Sequence, residues 1–170
     1  MKKKAILLLA TAIFAAGMQA ADVNLSIPTF AGNPDGLIRV PVDISNAAGL
    51  ASIRVQVNFD PALVVLENAE AATLGKQFDF SYEANAGIVT LMFVRATNLA
   101  SGNGTLAELV FRSNPGSTSD LFTDLTVALF EVGDSTGVVD LATTINLQTN
   151  NGGVQISHSA SIDNRPNGMP

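Results

Sequence analysis

Cysteine and tryptophan are absent from this chain of 170 residues, and tyrosine and histidine each occur once. Without cysteine there are no disulfides and no thiolate metal sites, so stability has to come from packing and backbone ladders. The single histidine, His158, falls in a polar C-terminal stretch. With neither cysteine nor a second histidine the usual zinc sites cannot be assembled, and a lone histidine in such a stretch is a poor base for a Ser-His-Asp triad. The carboxylates are scattered singly through turns and strand edges, the pattern of solvated surface charge rather than of a glycosidase pair. These absences argue against an enzyme and call for no cofactor. The shortage of Trp and Tyr also leaves few rings to stack on sugars, and Tyr82 alone makes a thin platform.

The N-terminus carries an address. Lys2, Lys3 and Lys4 precede an apolar stretch over residues 5–16, and a less hydrophobic segment with small residues at Gly17, Ala20 and Ala21 follows. That order is a secretory signal with cleavage after Ala20, and the apolar stretch is shorter than the roughly 20 residues a membrane span needs. No second apolar span follows, so the product is expected to be secreted, extracellular or at the cell surface, with the periplasm as the alternative destination. The whole chain has 9 Lys+Arg and 15 Asp+Glu. Losing three lysines leaves 6 against 15, a net charge of −9. Such an acidic product argues against nucleic acid and anionic membrane surfaces as partners.

Almost every segment of the mature chain reads at period 2. Val23, Leu25 and Ile27 alternate with Asn24 and Ser26, as a half-buried strand does. Asn33-Pro34-Asp35-Gly36 is a turn. Ile38, Val40, Val42 and Ile44 follow in alternation, with Pro41 marking an edge position or a bulge. The cleanest strand sets Ile53, Val55, Val57 and Phe59 on one side and Ser52, Arg54, Gln56 and Asn58 on the other. Residues 68–77 are Ala-rich and read as a loop, with a helical turn as the alternative, followed by alternation at Phe78, Phe80 and Tyr82. Residues 88–94 form a nearly continuous apolar run, read as a central strand covered on much of both faces, with Met92 and Phe93 in the core. Further strands are expected at 105–112, 125–131, 138–141, 144–148 and 153–157. Short strands at this spacing, with no long 3.6-period segment, predict an all-β antiparallel sandwich with jelly-roll topology. One domain is expected over 21–157, with a disordered tail over 158–170.

Two glycine and acid patterns carry no chemistry. Gly102-Asn103-Gly104 precedes a strand rather than a helix, so it presents no helix N-terminus to a phosphate. Asp120, Asp124 and Asp134 do not match the spacing of a twelve-residue calcium loop, and no metal ligand is assigned.

The strand-turn-strand order resembles a cohesin, the module that docks dockerin domains in extracellular cellulolytic assemblies. The resemblance rests on Gly32-Asn33-Pro34-Asp35-Gly36, then Ile38-Arg39-Val40-Pro41-Val42, then Gly49-Leu50-Ala51-Ser52. Val57-Asn58-Phe59-Asp60-Pro61, Phe78-Asp79, the strand at 88–94, the segment Leu106 to Val110 and the final Gly152-Gly153-Val154 follow in matching order. It implies about nine strands and a partner held by one flat sheet face. Carried over by position, that face comprises Ser52, Arg54, Gln56 and Asn58, with Arg95 at the end of a second strand. Relatives often have Asn where Ser52 stands and acids where Arg54 and Arg95 stand. Two arginines in place of two acids would invert the local charge and favour a partner with an acidic or polar face. The function expected is therefore protein-protein attachment of dockerin type. Polysaccharide binding, or a structural role in a surface layer or matrix, is the alternative.

Overall fold

The computed structural model describes residues 22–114, 119–136 and 145–157. The signal segment, the strand expected at 138–141, His158 and the tail lie outside the described residues. Eleven strands make two sheets that enclose one apolar core. The chain runs through β1 (Val23–Ser26), β2 (Thr29–Gly32), β3 (Ile38–Ser45), β4 (Ser52–Asn58), β5 (Val64–Ala71) and β6 (Asp79–Asn85). It continues through β7 (Ile88–Val94), β8 (Gly104–Ser113), β9 (Leu121–Gly133), β10 (Leu147–Asn150) and β11 (Gly152–Ile156). One sheet has the order β10-β1-β3-β8-β5, and the other β2-β11-β9-β4-β7-β6.

Two bent segments account for the strand count. The first segment changes sheet at Ile27-Pro28, between β1 and β2, and the last changes sheet at Asn151, between β10 and β11. Counted once each, they reduce eleven strands to the nine expected. The two segments run side by side, β1 parallel to β10 and β2 parallel to β11. Their crossing is tight: a Cβ on Gly152 would lie 2.1 Å from the carbonyl oxygen of Ile27, so the bend needs glycine. Asn151 steadies the other side by accepting the Val127 N–H at 2.9 Å.

The alternation seen in the sequence becomes the two inner faces. Val40 and Val42 from one sheet and Val55, Val57, Leu91 and Phe93 from the other have no solvent exposure. Phe93 gathers Phe80 at 5.0 Å and Phe78 at 6.0 Å between ring centroids, and Phe59 meets Phe111 edge-on at 5.3 Å. Each such side chain contributes roughly 1.5–3 kcal/mol on burial, so this layer dominates the stability of a chain without cross-links.

Several expectations are refined. Residues 68–71 belong to β5 rather than to a loop, and the stretch 72–78 leading to β6 holds a short 3-10 turn, Gly75–Gln77. Pro41 sits in a strand with neighbours on both sides, but β1 reaches only as far as Asp43, and a register shift falls between Val42 and Asp43. Pro41 therefore has an open flank and an adjacent bulge, which resolves its missing donor. The hairpin between β6 and β7 turns on Ala86 and Gly87, both with positive φ, as a two-residue turn of right-handed strands requires.

Candidate functional site

The two sheets present opposite kinds of outer surface. On the five-stranded sheet, Arg39 bonds Glu70 at 3.1 Å and Glu108 at 3.0 Å, and Arg112 pairs with Glu67. The hydrogen bond to Glu70, followed by that to Glu108, raises the Arg39 guanidinium above its ordinary pKa. Cation and acids satisfy one another there, which leaves little for a partner to complete.

The six-stranded sheet is different. β4 lies between β7 and β9, and its outward side carries Ser52, Arg54, Gln56 and Asn58, as the sequence predicts. Register brings neighbours beside each. Val94 and Gly133 flank Ser52, Met92 and Glu131 flank Arg54, Thr90 and Leu129 flank Gln56, and Ile88 and Thr126 flank Asn58. β6 adds Asp79, Ser81, Glu83 and Asn85 opposite the same β7 positions. Apolar side chains are interspersed across this surface: Val94, 55% exposed, and Ile88, 39%, stand at the two ends of β7, with Met92 and Leu129 half-buried between polar neighbours. Arg54, Met92, Val94, Glu131 and Ser52 line a shallow cleft of about 220 Å³.

Met92 is thus not core. Phe93 is fully buried, but Met92 points outward between Arg54 and Ser81. The apolar run of β7 has one face in the core and the other on an open surface, where burial of both faces was expected. Leu129 and Phe122 on the same side were not singled out in the sequence. Tyr82 is not on this surface at all. It stacks on Phe80 at the sheet edge and donates its hydroxyl to Asn68 at 3.0 Å.

Arg95 is not brought together with the other four residues. It follows Val94 and so turns the opposite way, with its guanidinium carbon 5.6 Å from the Phe78 ring centroid. Its Nη2 donates to Thr97 Oγ1 at 3.4 Å, while Nε and Nη1 are enclosed without an acceptor. The ring face offsets part of that cost by an attraction of about 0.5–1 kcal/mol. Arg54 in turn is paired with Glu131 at 3.4 Å. The charge argument from two arginines therefore fails. The outward surface has one cation, Arg54, against four carboxylates, Asp79, Glu83, Asp124 and Glu131, a balance of −3. An acidic partner meets repulsion there, and a polar or basic one does not.

No group of three or more His, Cys, Asp or Glu placed to hold a metal ion occurs among the described residues. Exposed apolar side chains set among polar ones are the composition of a binding surface.

Comparison with known proteins places this geometry. Residues 23–156 match the family profile described as "Cohesin domain". A curated relative, "Cellulose-binding protein A" of Clostridium cellulovorans, is 27% identical over 111 residues, which is 62% of this chain. The chain spans only 6% of that relative's length. Among solved structures, the non-cellulosomal cohesin of the archaeon Archaeoglobus fulgidus superposes with a TM-score of 0.66 at 20% identity, covering 79% of this chain and 91% of its own. The sixth cohesin of Acetivibrio cellulolyticus scaffoldin B, solved in complex with Cel5 dockerin, superposes at 0.67 and 21% identity, covering 80% and 99%.

Proposed function

This chain belongs to the cohesin family, and from that premise we propose that it is an exported, non-catalytic adaptor whose outward β9–β4–β7–β6 surface docks a dockerin-type protein. The observation that carries the reading is the contrast between the two outer faces. One is an ionic lattice closed on itself, and the other exposes Met92, Val94, Ile88 and Leu129 interspersed among acids and amides. Binding energy concentrates where apolar groups leave water, so only the second face has the composition of a docking site. The −3 balance calls for basic and polar groups at the partner's rim.

The test is titration of the chain with purified dockerin-type domains from its own source. Met92→Glu should weaken binding at least tenfold, about 1.4 kcal/mol or more. Val65→Ser, on the outer side of the five-stranded sheet, should bind as the native chain does. Loss of affinity in Val65→Ser alone, or none in Met92→Glu, places the partner elsewhere.

A further inference from the structure

Phe122 is 52% exposed on the outward side of β9, at the opposite end of the sheet from Met92 and Val94. Its ring is seated rather than loose. It lies over the bare α-carbon of Gly153 on β11, where an added Cβ would come within 2.6 Å of Cζ and 2.8 Å of Cε2. Beside the ring opens a cleft of about 360 Å³ with polar lining from Asn58, Asp60, Asp124 and Thr126. One carboxylate oxygen of Asp60 accepts the Ala62 N–H at 2.8 Å, which fixes that side chain and leaves its other oxygen free. The side chains of Asn58, Asp124 and Thr126 make no hydrogen bond among the described residues.

We propose that this cleft, at the Asn58–Phe122 end of the same outward surface, is a subsite for a neutral polysaccharide, and that protein docking occupies the other end, around Met92. A fixed aromatic face takes the C–H side of a pyranose through its negative quadrupole. Sugar hydroxyls then donate to two carboxylates, and the Asn58 amide both donates and accepts. Ring and acids together select the ligand class: no cation lines the cleft, so a polyanionic uronate chain is repelled, while a neutral chain of hydroxyls is not. A metal ion has no use for the exposed ring. The volume is at the small end of the roughly 300–1,000 Å³ usual for ligand sites, and the cleft is open, so a short stretch of a longer chain can lie across it.

The test is affinity electrophoresis of the full chain through gels containing soluble glucan, xylan or galactomannan, with polygalacturonate as the anionic control. At least one neutral polysaccharide should retard the native chain and polygalacturonate should not. Phe122→Ala and Asp124→Asn should each weaken that retardation at least tenfold, with melting temperatures near native because both side chains are exposed. Met92→Glu should be retarded as the native chain is, which separates this site from the docking surface. The proposal is overturned if no neutral polysaccharide retards the chain, if Phe122→Ala is retarded as strongly as native, or if polygalacturonate binds equally well. Loss of dockerin-type binding in Phe122→Ala without any retardation of the native chain also overturns it, by assigning the ring to the protein footprint.

Discussion

Nη1 of Arg54 lies 3.4 Å from Oε2 of Glu131 across the β4–β9 pair, so the one cation of this outward surface is answered by its own neighbour. Both side chains are about half exposed, 52% and 44%, and the pair is worth no more than about 1 kcal/mol. Arg54→Ala should therefore leave the denaturant midpoint nearly unchanged. Arg54→Glu sets like charges opposite each other and should destabilise, with Arg54→Glu/Glu131→Arg restoring most of the loss. Urea titration of the three variants checks this, and no recovery in the double variant would show that the pair does not interact.

On the far sheet, Glu70 and Glu108 stand opposite each other in register and are held by Arg39. Arg39→Ala should lower the melting temperature. Added salt should narrow the gap to native, because it screens the two carboxylates left facing each other. A gap independent of salt would mean that Arg39 contributes by packing alone.

Gly152→Ala forces a Cβ to within 2.1 Å of the Ile27 carbonyl oxygen, and 2.4 Å of that of Pro28. Backbone has to move at the point where both bent segments change sheet, so a loss of at least about 2 kcal/mol is expected. Gly36→Ala, whose Cβ would stand 3.5 Å from its nearest neighbour, should be tolerated. Equal melting temperatures for the two would contradict the crossing described above.

Phe93→Ala removes the ring that Phe78 and Phe80 both meet. The expected cost is about 3–5 kcal/mol, measured by chemical unfolding. A small loss would show that the neighbouring rings collapse into the space.

Much of this was legible from alternation alone. β4 carries its period unbroken, so the outward set Ser52, Arg54, Gln56 and Asn58 follows directly from the sequence. β7 misled because its outward positions are themselves apolar; a run such as Ile88–Val94 looks the same whether its second face is buried or waits for a partner. β9 misled for another reason. Its register with β4 shifts between Gln56 and Val57, so Phe122, Asp124 and Thr126 face out before the irregularity and Leu129 and Glu131 face out after it. Strict alternation puts Phe122 and Phe130 on the same side, whereas Phe130 packs on the core and Phe122 stands in the open. Arg95 failed through the same parity, one residue past the end of its strand.

The side-by-side course of the two bent segments also fixes how the domain bears load. Val23 opens one segment and Ile156 closes the other, and the segments run the same way, so these two residues sit at opposite ends of a parallel ribbon. Tension applied between them pulls the neighbouring strands past each other along their length. The rows of backbone hydrogen bonds joining β1 to β10 and β2 to β11 are then strained together, in shear, rather than peeled open one after another.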